Sequence, residues 1–160
     1  MITIGKLTFL RIDKNKFDPV RDGKGSIDYQ KWVEYINDNK EIFVWYEDTE
    51  NGKRILNKID TFSEEDKEII LASLNRVRCE AKFNPKKNYY DISVGCSEGS
   101  GRVTITFERR PKIEEIRMFL DMAKYLDAML LYRGKTIIDE KVIEELENNS
   151  KMRKKGPLKK

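Results

Sequence analysis

The sequence predicts an α+β fold: a single domain, with a mainly antiparallel sheet that has one face covered by helices. Three observations predict it. Successive segments between residues 77 and 107 alternate apolar and polar residues with the period of a half-buried strand. The turns between them, NPKKN and SEGSG, are short enough for hairpins. The chain of 160 residues has no internal repeat or separate linker, which fits one domain with a substantial core.

The first strand is expected over residues 2–12, where Ile2, Ile4, Leu7 and Phe9 suggest burial and Gly5 marks a change of parity. The loop NKFDPVRDGKGS follows, with Pro19, Gly23 and Gly25, and ends in Ser26 as the N-cap of a helix over 27–38. Ile27, Trp32, Val33 and Ile36 share one face of that helix. Next, EIFVWYEDTENGKRILNKI has the form of a hairpin, with a strand over 41–47, Asn51-Gly52 as the turn and a returning strand from 53. Ile42, Val44 and Tyr46 lie opposite Phe43 and Trp45, so both faces of the strand are apolar. Burial between helices is the preferred reading, with an exposed aromatic anchor as the alternative.

Ser63 with Asp66 resembles a capping box and opens a helix over 64–74 whose first turn is acidic. The three alternating strands then place Val77, Cys79, Ala81 and Phe83, then Tyr90, Ile92, Val94 and Cys96, then Val103, Ile105 and Phe107 on the dry side. Pro111 begins the longest helix, 111–127, with Ile113, Ile116, Phe119, Leu120, Ala123 and Leu126 as its buried stripe. Met118, Met122, Tyr125 and Met129 widen that stripe as gap-filling core. A short hairpin around Arg133-Gly134 and a final helix, EKVIEELENN, complete the domain at residue 149.

Composition excludes several chemistries. The chain has no histidine, so imidazole base catalysis and histidine-built zinc sites are closed to it. Cys79 and Cys96 are too few for a structural zinc site, and their parity makes them reduced, buried residues, which implies an intracellular, cytoplasmic protein. Hairpin register places Cys79 opposite Ile92 or Ser93, so the two are not disulfide partners. The Gly99-Ser100-Gly101 loop lacks the spacing of a phosphate-binding loop and leads into a strand, so it is a turn. No cofactor or metal is expected, and no apolar run is long enough to span a membrane. The opening residues read as native structure rather than a signal peptide.

The net charge of +4 is concentrated at the end of the chain. Without Lys151, Arg153, Lys154, Lys155, Lys159 and Lys160, residues 1–149 hold 26 bases against 28 acids, a balance of −2. Residues 150–160 read as a basic, disordered tail. The wet side of the sheet is the informative surface. Arg76, Arg78, Glu80 and Lys82 share one parity, Tyr89, Asp91 and Ser93 the next, and Arg102, Thr104, Thr106, Glu108 and Arg110 the third. Glu80 and Asp91 face each other across the hairpin; an exposed charged face explains the pair better than acid–base work does. A wide, rigid face of mixed sign suits electrostatic recognition of a protein, with Arg76, Arg78, Glu80, Lys82, Tyr89, Asp91, Arg102 and Glu108 as the binding residues.

The segment PKIEEIRMFLDMAKYLDAMLLYRGKTIIDEKVIEEL resembles the C-terminal part of small α+β immunity proteins of bacterial polymorphic toxin systems. The similarity lies in a strand leading to a proline-started helix, the MAKYLDA segment, and the hairpin LLYRGKTIID. It carries over no functional residue by position. It implies a cytoplasmic, cofactor-free protein that binds one toxin domain; the main reading of the residues is a non-enzymatic binding protein. The alternative is a nucleic-acid-binding accessory protein using the basic tail with Arg76, Arg78 and Arg102; an enzyme built on carboxylates and arginines ranks third. Strand order and oligomeric state are left open by the sequence.

Overall fold

The computed structural model describes residues 2–16 and 26–155. Its centre is a seven-stranded antiparallel sheet, so the expected α+β architecture is the one observed. The strands are β1 (Phe9–Asp13), β2 (Phe43–Trp45), β3 (Arg78–Asn84), β4 (Tyr89–Gly95), β5 (Val103–Phe107), β6 (Met129–Tyr132) and β7 (Thr136–Ile137). They lie in the order β2-β3-β4-β5-β1-β6-β7. The two edges, β2 and β7, are the shortest strands, which limits the open backbone available for unwanted pairing.

The helices are α1 (Tyr29–Asp38), α2 (Glu50–Asn57), α3 (Glu64–Ser73), α4 (Ile113–Tyr125) and α5 (Glu140–Lys155). Helices α1, α4 and α5 bury their apolar stripes against one side of the sheet. Trp32, Val33 and Ile36 of α1, Ile116, Phe119, Met122 and Ala123 of α4, and Ile143 and Leu146 of α5 join Leu10, Ile12, Phe43, Trp45, Ile92, Val94, Val103 and Ile105 in one core. Ring contacts bind the layers: Trp32 meets Trp45 edge-on at 5.5 Å, and Phe119 meets Phe107 edge-on at 5.8 Å.

The first segment departs from a continuous strand. Residues Ile4–Lys6 form a 3₁₀ turn closed by the Leu7 amide on the Ile4 carbonyl, and only then does β1 begin. The turn resets parity, so Leu10 and Ile12 enter the core while Phe9, expected inside, is 57% exposed on the opposite face. Helix α1 is capped by Asp28, whose side chain accepts from the Lys31 amide, rather than by Ser26. The expected features of residues 17–25, Pro19, Gly23 and Gly25 among them, lie outside the described residues.

The hairpin expected around Asn51-Gly52 does not form. Strand β2 ends at Trp45, a 3₁₀ turn covers Tyr46–Asp48, and Thr49 caps α2 by accepting from the Gly52 amide at 3.1 Å. Glycine serves here for close approach: a Cβ on Gly52 would collide with the carbonyl oxygen of Tyr46. Helix α3 begins at the expected cap, with Ser63 accepting from the Asp66 amide at 3.2 Å. Residues 46–77 thus form an arm between two adjacent antiparallel strands that a tight turn alone would connect.

The three alternating strands expected between residues 77 and 107 are present as the β3–β4–β5 meander, but the register differs from the expected one. Cys79 lies opposite Val94, not Ile92 or Ser93, and Glu80 lies opposite Ser93, not Asp91. The four-residue turn at 85–88 closes with the Asn88 amide on the Asn84 carbonyl, with Asn88 at φ 59°. Both cysteines are free and buried, as their parity indicated. Helix α5 runs on through Lys155, so the basic stretch set apart from residue 150 begins inside a helix; residues 156–160 lie outside the described residues.

The hairpin around Arg133-Gly134 is present between β6 and β7. Gly134 sits at φ 72°, and an added Cβ would collide with the Arg11 guanidinium lying over it. Gly134→Ala therefore combines left-handed strain with displacement of Arg11. We expect a loss of about 1–2 kcal/mol, read as a lower melting temperature; an unchanged one would show that neither effect is felt.

Candidate functional site

The side of the sheet away from α1, α4 and α5 is read directly from the register. One row crosses it as Val44, Glu80, Ser93, Thr106 and Phe9, and the next as Arg78, Gly95, Thr104, Arg11 and Leu131, a row that closes at its far end, where Leu131 is buried and Arg11 largely covered. The alternation that buries Cys79, Ala81, Ile92, Val94 and Ile105 sends these residues the other way. Val44 is only half-buried, so β2 is not enclosed between helices: its second face belongs to this open side, followed by the half-buried Tyr46 of the next turn.

The arm crosses one end of the face and turns it into a groove of about 300 Å³. Thr49, Asn51 and Tyr46 of the arm stand beside Arg78, Glu80, Tyr89, Tyr90, Ser93 and Glu108 of the sheet region. Arg78 fixes the junction: its Nη2 donates to Glu80 Oε1 at 3.1 Å, and its guanidinium lies 4.4 Å from the centre of the Tyr46 ring. Glu47 ties the arm down from the other side, accepting the Arg76 amide through Oε2 at 2.8 Å.

Four of the eight expected binding residues meet in the groove: Arg78, Glu80, Tyr89 and Glu108. The other four have different positions. Arg76 precedes β3 at φ 55°, where its carbonyl accepts from the Tyr29 hydroxyl of α1 at 2.8 Å. Lys82 takes φ 62° within β3, a left-handed residue that bends the strand end and brings its charge near Glu115 of α4. Asp91 is buried in an ionic junction: its Oδ2 accepts from Arg109 Nε at 2.9 Å and its Oδ1 from Asn84 Nδ2 at 3.4 Å. Arg102 lies before β5, in the turn whose Ser100 hydroxyl bonds to the Arg102 carbonyl at 3.0 Å. Thr49 and Asn51 were absent from the expected site because a hairpin was expected there; Tyr46 entered only through the alternative of an exposed aromatic anchor, and Tyr90, expected on the dry side, lines the groove instead.

Arg109 links three elements. Its Nη1 and Nη2 donate to the two oxygens of Glu115 at 2.8 and 2.7 Å while its Nε holds Asp91. Glu115 also accepts the Lys112 amide at 2.9 Å, which caps α4. Burial pushes the Glu115 carboxyl up, but Arg109 and that amide outweigh it and hold it below the usual range. The arrangement is a structural clamp.

Glu80 is different. Burial raises its carboxyl above the usual range; Arg78 opposes the rise and neighbouring Glu108 adds to it. Its ionised form is therefore disfavoured by folding, so its contribution improves as pH falls toward the raised value. We expect Glu80→Gln to leave stability unchanged or raise it near neutral pH, with less stabilisation on acidification than wild type. A clear loss at pH 7, measured by urea unfolding, would show that the carboxylate is instead held favourably.

The thiols have no part in such chemistry. Burial pushes Cys79 well above the ordinary thiol value and Cys96 up to about 11, keeping both protonated at neutral pH. Among the described residues no group of three or more carboxylates and thiols is arranged to hold a metal ion, and no helix is long and apolar enough to cross a membrane. The Gly99-Gly101 turn is closed on itself, with Ser100 Oγ accepting from the Ser97 amide at 3.2 Å. Comparison with protein-family models, with curated proteins and with solved structures finds no match to this chain.

Proposed function

We propose that this protein is a non-enzymatic binding domain, of the immunity type and cytoplasmic, that engages a protein partner through the open side of its sheet. The observation that carries the reading is the face of Arg78, Glu80, Ser93, Thr106 and Phe9 on rigid strands, left outside the core by α1, α4 and α5 and bordered by the arm. Rigid strands lose little entropy on association, and long inserted connections are where binding residues concentrate. The resemblance of residues 111–146 to immunity proteins supports the same class, with a toxin domain as the partner.

A protein suits the face better than a nucleic acid does. Arg78 is already engaged by Glu80 and Tyr46, and Glu80 and Glu108 together repel phosphate from the groove.

The test is co-expression with the products of neighbouring genes, followed by gel filtration of any complex. Glu108→Lys, which reverses a charge of the groove, and Thr106→Trp, which fills the middle of the face, should each weaken the complex tenfold or more. Lys141→Glu, exposed on α5, should not. Turnover of a substrate by the isolated chain, or a complex indifferent to both face variants, would contradict the reading.

A further inference from the structure

The chemistry of the groove narrows what the partner presents. Glu80 and Glu108 bring two negative charges to it, and Arg78 answers one. Glu80 is the answered one, with a side chain 8% exposed against Arg78. Glu108 is exposed and forms no side-chain ion pair among the described residues. Its charge contributes to the upward push on the Glu80 carboxyl, so the groove rests with like charges close together in a partly dry setting. A cation placed there relieves that repulsion.

The walls favour the same kind of guest. The rings of Tyr46, Tyr89 and Tyr90 line the space, and two of them already attract cations: Arg78 over Tyr46 at 4.4 Å and Lys87 over Tyr89 at 5.6 Å. Asn51 and Ser93 add amide and hydroxyl oxygens to the lining, which accept from an N–H donor. Metal coordination is a poorer match, because two carboxylates with a guanidinium on one of them leave too few oxygen ligands.

The rest of the row shows how such a cation would be delivered. From Ser93 it runs through Thr106 to Phe9, two interstrand steps or about 10 Å. Phe9 is 57% exposed at that end. A partner surface carrying a basic side chain with an apolar residue about 10 Å away matches both features at once.

We infer that the groove bounded by Tyr46, Glu80, Tyr90 and Glu108 receives a lysine or arginine side chain of the protein partner, with Phe9 covered by an apolar residue of the same surface. The inference rests on the proposed binding function and adds the chemistry of the residue recognised.

The experiment uses the full chain and two probes, N-acetyl-arginine-N-methylamide and its citrulline counterpart, which keeps the shape and loses the charge. Amide chemical shifts are followed by NMR at constant ionic strength. The arginine probe should move Glu80, Tyr90, Ser93 and Glu108 with saturable, millimolar affinity, and the citrulline probe should bind at least about fivefold more weakly. Glu108→Gln, an exposed change whose folding is checked by thermal melting, should reduce arginine binding to the citrulline level. Equal binding of the two probes, shifts centred on the acidic start of α3 at Glu64–Asp66, or full affinity in Glu108→Gln would overturn the inference.

Failure here is distinguishable from failure of the binding function. If the arginine probe fails while Thr106→Trp still abolishes the partner complex, the face binds protein and the inferred guest is wrong. If Thr106→Trp leaves the complex intact, the open face is not the interface and both fall.

Discussion

Arg109→Met should destabilise the fold by about 3–5 kcal/mol, the usual consequence of removing one partner from a buried ionic pair. Among the described residues the guanidinium is the only group bonded to both carboxylates, holding Glu115 through two hydrogen bonds and Asp91 through a third. Glu115 is 1% exposed, so water cannot replace the lost donors. Asp91 projects from β4 and Glu115 from the first turn of α4, so the substitution loosens the helix that supplies much of the core.

The pH profile gives this prediction a second readout. In the native protein the Glu115 carboxyl lies below its ordinary value, so its stabilisation is present above the unfolded value and lost as pH falls through the lower folded one. Without Arg109, burial dominates and the folded value rises above the unfolded one. The sign reverses: Arg109→Met should gain stability as the solution is acidified from neutral toward the carboxylate range. Urea unfolding at pH 7 and pH 5 tests this, and a variant that parallels wild type at both values would show that Arg109 does not govern Glu115.

The second large effect concerns the arm. In Gly52→Ala the new methyl falls on the Tyr46 carbonyl and close to the Glu47 Cα, which are backbone atoms with no rotamer to change. Thr49 fixes the same junction, donating its hydroxyl to the Tyr46 carbonyl at 2.6 Å and accepting from the Gly52 amide. The helix must therefore move as a unit. We expect a cost of about 2–3 kcal/mol, in the range for overpacking, together with displacement of Tyr46 from Arg78.

The sheet should survive that change, because few arm residues are buried: of those described between 46 and 77, Thr49, Gly52 and Leu74 are. Gly52→Ala should thus open amides of residues 46–62 to hydrogen exchange, leave those of β4 and β5 protected, and weaken partner binding about tenfold or more. Exchange unchanged in the arm would mean that the junction relaxes without moving α2.

The contrast between the meander and the arm explains what was legible in the sequence. Strands β3 to β5 each bury one side against helices, so alternation at Cys79-Ala81, Ile92-Val94 and Val103-Ile105 follows directly from burial. The stripe of α4 was readable for the same reason. The arm buries almost nothing: α3 carries Ile69 and Leu71 exposed and was read from its Ser63 cap rather than from a buried stripe. Asn51-Gly52 was read as a turn because that dipeptide commonly supplies positive φ. Here the glycine supplies space instead, a requirement visible only once Tyr46 is in place.

The candidate face was legible in its centre and not at its margins. Arg78, Glu80 and Glu108 followed from parity, and they do share one groove. Lys82 and Asp91 did not, because Lys82 takes a left-handed φ and Asp91 is held by Arg109. Parity holds along a strand only while φ remains extended. Phe9 was missed for a related reason: the 3₁₀ turn at Ile4–Lys6 lies between two segments that look like one strand.

The most direct measurement is hydroxyl-radical footprinting of the chain alone and in complex with its partner, since reactive aromatic and sulfur side chains occur on both sides of the molecule. Phe9, Tyr46, Tyr89 and Tyr90 report on the open face and its groove, while Tyr125 of α4 and Met152 of α5 report on the helical layer. The account predicts that the first four lose reactivity in the complex and that Tyr125 and Met152 keep theirs. Protection of Tyr125 and Met152 with Phe9 and the three groove tyrosines unchanged would contradict it.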